Sequence, residues 1–405
     1  MTTTEPRRPR ARAELSRTCA LLAAGVLAGL LGQPGRAGAA GPPAMEPVPA
    51  AAPLAALDVL GAAPAAPART ELALLDLAAG VEPLSAHLQS SPAPAVTAAA
   101  AGPASFGVTA SGLSWFSGAT DGGFQCLAQM RHRALDVEHV YVAPQTFTDM
   151  VQNTGSWVPR YASKAPVFMV SLALLPKANK SQFSQCAAGA FDGYFRQVGA
   201  NLRQAHARAV IIRLGWEANI GSDSHPWGVD SPAQVPTYKA CWRRAATQIK
   251  AGSGNTVLMD WTSAKKTDNT SLHVADMYPG SDIVDIIGVH YYDSGPEKNT
   301  QALWNQYYSA TFGPNPWGIK PWLDFARAHG KRLGVGEWGV WDQGQPAAQA
   351  DDPVYIDNMY KFFKANAGSI AYETYFNAMA DQHLLCPSTR FPKAAAMYAK
   401  DWSGR

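Results

Sequence analysis

From residue 105 to the C-terminus the chain alternates short, nearly continuous apolar runs with longer amphipathic stretches. The runs at 112–116, 137–142, 167–174, 209–214, 256–261, 284–290, 332–336 and 370–376 read as buried strands, eight in all. The stretches at 124–133, 147–153, 182–206, 235–251, 302–308, 321–329, 353–365 and 392–402 carry helical spacing. Strand-helix alternation of this kind pairs strands in parallel, and eight repeats predict closure into a (β/α)8 TIM barrel rather than an open doubly wound sheet. No Gly-x-Gly-x-x-Gly follows the first strand and no Gly-x-x-x-x-Gly-Lys-Ser/Thr occurs, so the sequence offers nucleotide phosphates no cradle.

The N-terminal part has a different texture. Residues 1–39 combine an arginine-rich start, an apolar stretch from Cys19 to Leu31 and the small-residue run Ala37-Gly38-Ala39, the pattern of a secretory signal peptide. The apolar stretch is shorter than the ~20 residues of a bilayer span. Residues 40–104 are dominated by Ala and Pro and bury too little to fold alone, so they are expected to form a disordered linker. Residues 105–405 are then expected to form the barrel domain, secreted to the periplasm or beyond.

Composition narrows the partners. At 47% hydrophobic and 16% charged the chain holds a large core. Six of its 34 basic and two of its 31 acidic residues lie in the first 39, leaving 28 against 29 in the body. That balance gives no electrostatic case for nucleic acid. Cys126, Cys186, Cys241 and Cys386 remain after the leader, an even set for an oxidising compartment. Of the three connectivities, Cys186 with Cys241 and Cys126 with Cys386 is favoured, the second joining the first and last barrel units; buried free thiols are the alternative. No Cys or His spacing matches a zinc site, and neither a metal nor another cofactor is expected.

Two acidic residues interrupt this apolar pattern. Glu217, in Val210-Ile-Ile-Arg-Leu-Gly-Trp-Glu-Ala-Asn219, and Glu337, in Arg332-Leu-Gly-Val-Gly-Glu-Trp-Gly339, close the fourth and seventh strands. Strand C-terminal ends are where a barrel presents its chemistry. By strict alternation Arg213, Gly215 and Glu217 share one face, and Val335 shares the face of Glu337. Two carboxylates across one barrel mouth suit glycosidic bond cleavage, with one as acid/base and the other as nucleophile. The competing reading is two structural carboxylates satisfied by cations such as Arg213.

The ordered set Ile212-Arg-Leu-Gly-Trp-Glu-Ala-Asn219, Trp227-Gly228, Tyr238-Lys-Ala-Cys-Trp242, Asp260-Trp-Thr-Ser263, Tyr278 to Tyr292 and Gly336-Glu-Trp-Gly339 resembles the family 26 glycoside hydrolases. These are retaining β-mannanases and related β-glycanases of a clan with glutamates on strands four and seven. The resemblance implies a β-linked polysaccharide substrate, Glu217 as general acid/base, Glu337 as nucleophile and Tyr292 as hydrogen-bond donor to it. One position departs: the family has His before the acid/base, whereas this chain has Trp216, which shifts the contacts at the cleaved sugar and bears on mannan specificity.

Aromatic platforms and polar side chains make sugar subsites. Trp216, Trp338, Trp115, Trp227 and Trp341 are candidate platforms, and Asn219, Asp223, His225 and Asp121 candidate polar contacts, each with a core, cap or solvated-loop alternative. For the chain as a whole the alternatives to hydrolysis are a glycan-binding barrel without turnover, a transglycosylase acting on the cell's own exopolysaccharide, and an extracellular scaffold.

Overall fold

The computed structural model describes residues 106–205, 207–267, 271–294, 299–343, 346–377, 382–387 and 389–403. The expected signal peptide and linker lie outside the described residues.

Eight strands, β1 (Ser117–Thr120), β2 (Val137–Val142), β3 (Val167–Leu172), β4 (Ala209–Leu214), β5 (Val257–Ala264), β6 (Ile286–Asp293), β7 (Arg332–Val340) and β8 (Ile370–Tyr375), close into a parallel barrel. Each pairs with its sequence neighbours, and β8 closes onto β1 through Ser117↔Glu373, Gly118↔Thr374 and Ala119↔Tyr375. The predicted (β/α)8 class is therefore the observed one.

Strand positions agree with the apolar runs except at β1. The expected strand 112–116 is loop, and the ladder is made by Ser117-Gly-Ala-Thr120. Small residues are needed there because a Cβ on Gly118 would come within 2.1 Å of the Val137 carbonyl oxygen. Hydropathy does not mark such a strand.

Helices follow their caps. Thr146 and Asp149 form a capping box, with Asp149 N–H donating to Thr146 Oγ1 at 3.1 Å and Thr146 N–H to Asp149 Oδ2 at 3.0 Å. That helix runs Phe147–Tyr161, well past the expected end. Asp352 accepts from Val354 and Tyr355 N–H and starts Pro353–Ala365, as expected. The stretch 182–206 divides into Phe183–Ala187 and Asp192–Leu202, separated by Gly189 at φ +95°.

Apolar packing forms two layers. The outer and larger lies between strands and helices; the inner fills the barrel floor with Phe116, Val167, Met169, Ile211 and Ile286. Higher in the barrel the interior turns polar: His139, Ser171, Arg213, Asp260, Thr262 and His290 are all buried. Both favoured disulfides are present, Cys186–Cys241 and Cys126–Cys386. The second ties the helix after β1 to the loop after β8. Among the described residues no helix is long and apolar enough to cross a membrane.

Candidate active site

Strand alternation does not deliver the two glutamates; local backbone irregularities do. After β4 the chain leaves the extended conformation, with Gly215 at φ +58° and Glu217 at φ +54°. A side chain at φ > 0 is costly and concentrates at functional positions. Glu217 N–H donates to the Thr262 carbonyl at 2.9 Å, which fixes this turn to β5. The expectation that Arg213, Gly215 and Glu217 share a strand face is thus replaced by a left-handed turn.

At Glu337 the device is a β-bulge. In the β6/β7 ladder Val289 faces Val335 and the next residue, His290, faces Glu337, so Gly336 is an extra residue. Val335 and Trp338 pack in the outer layer. Gly336 turns inward, and a Cβ on it would come within 2.5 Å of Arg213 Nε. Two successive residues therefore face the interior, and Glu337 does not share the face of Val335 as simple alternation predicted.

The two carboxylates meet at the two edges of one imidazole. His290 Nδ1 lies 2.8 Å from Glu217 Oε1, a close contact that is not aligned as a hydrogen bond, and Nε2 lies 3.1 Å from Glu337 Oε1. Arg213 Nη2 is in direct contact with His290 Nε2. Arg213 Nη1 and Nη2 each donate to Glu337 Oε1 at 3.3 Å, and Tyr292 Oη donates to Glu337 Oε2 at 2.7 Å. His225, on the loop after Glu217, places Nε2 3.2 Å from Glu217 Oε2. The glutamate side chains retain 18% and 8% exposure, against 1% for His290 and 0% for Arg213, so the carboxylates face the opening.

Burial alone would raise the Glu217 pKa, but His290 and His225 outweigh it and hold the carboxyl below its ordinary range. Burial followed by the Glu337 charge pushes Tyr292 well above the ordinary phenol value, so its hydroxyl stays a donor. Burial, Arg213 and His290 push His139 well below the ordinary histidine value. Neutral His139 contacts Ser171 Oγ at 2.6 Å and Arg213 Nη1 at 2.8 Å. Arg213 stays charged because the Glu337 carboxylate, together with Tyr372, Tyr141 and Asp260, offsets the cost of its burial.

Other predicted residues are placed unequally. Trp216 is buried near the mouth, edge-on to Tyr141 and close to His225. The resemblance expects His where Trp216 stands; an imidazole reaches Glu217 nonetheless, from His225. Trp341 is partly exposed beside Tyr292, with ring centroids 5.9 Å apart. Trp227 is buried, stacks on His225 and donates its indole N–H to the Trp216 carbonyl at 2.7 Å, which makes it a brace for the loop rather than a platform. Asn219 is buried and bonds the Ala264 N–H and carbonyl, joining the turn after β4 to β5.

Asp223 is fully exposed and 3.6 Å from Lys180, away from the cleft cluster. Trp115 and Trp338 are not in the cleft either: both are buried in the outer layer and donate to Glu373, at 3.4 and 2.7 Å. The reason for Trp338 is the bulge, which turns Glu337 in and its neighbour out. The Asp121 side chain lies outside the described residues. Among the described residues no group of three or more His, Cys, Asp or Glu is arranged to hold a metal.

Sequence reasoning assigned no site role to His290, His139, Tyr141 or His383. The first three interrupt apolar strands, a signal of the same kind as the glutamates. His383 packs its ring 4.7 Å from that of Tyr292, but sits in a loop with no periodic pattern to mark it.

No protein-family model matches the sequence, and no curated protein matches it. Solved structures do match. A Muricauda sp. protein designated GH26C superposes with a TM-score of 0.52 at 15% identity, over 73% of this chain and 85% of that one. A Cellulomonas fimi endo-β-1,4-mannanase double mutant gives 0.51 at 18% identity, over 71% of each chain. The likeness is one of fold: this chain is a (β/α)8 barrel resembling those of family 26 glycoside hydrolases.

Proposed function

We propose that this protein is a secreted retaining glycoside hydrolase that cleaves a β-linked polysaccharide, β-mannan or a related β-glycan, by double displacement. The observation that carries the reading is the meeting of Glu217 and Glu337 across one imidazole at the open end of the barrel, with Tyr292 Oη on Glu337. In the first step a Glu337 oxygen bonds to the anomeric carbon while Glu217 passes a proton to the departing glycosidic oxygen. In the second, water attacks that carbon, Glu217 takes its proton, and the bond to Glu337 breaks. Arg213 and Tyr292 donate to Glu337 and orient it for attack, and Trp341, partly exposed beside Tyr292, offers apolar surface to pyranose rings. The two disulfides suit an exported protein, and the substrate class follows the fold neighbours, one of them a mannanase.

The test is release of reducing ends from mannan, xylan, mixed-linkage glucan and the producing cell's own polysaccharide, in wild type and in Glu217→Gln and Glu337→Gln. Turnover of one of these glycans that falls at least 10³-fold in both variants is expected. Binding without release in the wild type, or release that survives both substitutions, refutes the reading.

A further inference from the structure

Tyr194 is the one exposed aromatic ring among the described residues, at 42%. A single surface aromatic is ordinary, but this one is held as a fixed plate. Its ring lies nearly parallel to that of Phe147, with centroids 5.3 Å and planes 19° apart. Phe147 is buried, stacks on Phe191 at 4.3 Å and takes Phe195 edge-on at 5.4 Å, so the plate rests on a packed aromatic base.

Beside the plate an open groove of about 530 Å³ runs between the helices Phe147–Tyr161 and Asp192–Leu202. Thr148, Val151 and Gln152 line it from the first helix, and Gly193, Tyr194 and Gln197 from the second. The space above Gly193 is empty, since an added Cβ there would meet nothing within 4 Å. Gln197 Nε2 donates to Asn201 Oδ1 at 3.1 Å, and Asn201 Nδ2 donates to the Val151 carbonyl at 2.9 Å and to Thr154 Oγ1 at 3.1 Å. This chain of bonds between the helices sets the Gln197 amide in one orientation and leaves its carbonyl oxygen as an acceptor. Thr148 and Gln152, both exposed, add a hydroxyl and a second amide. Among the described residues that line the groove none is charged.

A flat ring flanked by a hydroxyl and two amides suits an uncharged pyranose, with its carbon face on the ring and its hydroxyls on the amides. An anionic polymer would find no cation there. The helix Phe147–Tyr161 follows β2, and Asp192–Leu202 lies between β3 and β4. Both run back along the barrel wall, so their first turns stand at the end of the barrel where Glu217 and Glu337 open. We propose that this groove is a second carbohydrate site, sharing no residue with the cleft, that stacks a pyranose of a neutral polysaccharide on Tyr194 and holds the polymer to the barrel wall. The choice of ligand rests on the glycosidase reading, whereas the groove and its chemistry stand apart from it.

The experiment is affinity electrophoresis of the complete mature protein in gels containing mannan, xylan, mixed-linkage glucan or the producing cell's own polysaccharide. It is run in the Glu217→Gln background so that no polymer is consumed. Tyr194→Ala is expected to raise the apparent Kd for the retarding glycan about tenfold. Tyr194→Phe should leave it near its starting value, and Gln152→Ala combined with Gln197→Ala should raise it with the ring still in place. With Glu217 intact, Tyr194→Ala should leave kcat/KM on a short soluble oligosaccharide unchanged while slowing release from the polymer. Unchanged retardation of a folded Tyr194→Ala protein overturns the proposal, as does the absence of retardation by every one of these glycans. A dimer in sedimentation that Tyr194→Ala dissolves overturns it too, because the groove then belongs to a second copy of the chain. Should Tyr194→Ala fail to fold, the double glutamine variant decides by the same Kd. Retardation that depends on Tyr194 without turnover of any glycan in wild type leaves the second site standing and refutes the glycosidase reading; turnover without such retardation refutes the second site alone.

Discussion

Gly336→Ala tests the claim that a missing side chain builds this site. The added methyl would stand 2.5 Å from Arg213 Nε, 2.6 Å from Cζ and 3.0 Å from Nη2. Arg213 cannot swing aside, since its guanidinium is buried and held by Ser171 and Glu337 as well as touching His290. Overpacking a filled core costs about 1–3 kcal/mol, and separating a buried ion pair that keeps its other partners adds to this, so roughly 3 kcal/mol is expected. For a folded body of about 300 residues that is a fall in melting midpoint of roughly 5 °C. Because the displaced group is the partner of Glu337, hydrolysis should fall at least 10²-fold as well. The control is Gly193→Ala, on the helix Asp192–Leu202, where an added Cβ meets nothing within 4 Å. It should stabilise by about 0.5–1 kcal/mol through helix propensity. Thermal and urea unfolding of the two variants side by side decides the matter: a Gly336→Ala protein as stable as wild type refutes the close approach.

Trp338→Phe keeps an aromatic ring but removes the pyrrole half of the indole with the N–H that reaches Glu373 at 2.7 Å, so stability should drop by about 1–3 kcal/mol while KM is unchanged; a raised KM with normal stability would return Trp338 to the cleft. His139 and His383 both have folded pKa values depressed by burial, so their stabilisation is present above the ordinary histidine pKa near 6.5 and is lost as pH falls through it. Urea midpoints should therefore decline below about pH 6.5, at up to about 1.4 kcal/mol per pH unit for each ring, and His139→Asn should flatten the decline. An unchanged slope in that variant would show that His139 is not held neutral.

The eight-fold alternation of the barrel was legible because strands buried on both faces read as continuous apolar runs. The exception, β1, is built from Ser117, Gly118, Ala119 and Thr120, chosen by closeness to β2 rather than by hydropathy. The identities of the paired glutamates were legible because a charge at the end of an apolar run has few structural excuses. Their directions were not. Face assignment by alternation fails wherever a bulge or a left-handed residue intervenes, and this site uses both, at Gly336 and Glu217. The same failure misplaced Trp338: the residue beside an inward-facing glutamate faces out. His290 stood in plain view inside an apolar strand, yet its contact with both glutamates depends on a register that only the folded ladder supplies.

Burial alone does not set the task of an acid in this barrel; the chemistry of its donors does. Glu373 is fully buried on the outer face of β8 and receives three indole N–H groups, from Trp115, Trp338 and Trp402, none of them charged. Burial raises its pKa, and its role is to clasp three elements of the outer layer. Asp260, inside the barrel, accepts from the hydroxyls of Tyr372 and Thr262, and burial raises its pKa too, against the pull of Arg213. Glu217 is answered by two imidazoles, and the direction reverses. The neutral donors let an acid be buried without holding it ionised, whereas titratable donors tie its charge to the protonation of its neighbours. On the proposed reading Glu217 gives a proton and takes it back, and two imidazoles stand beside it. Among these three acids only Glu217 has them together with a path to solvent.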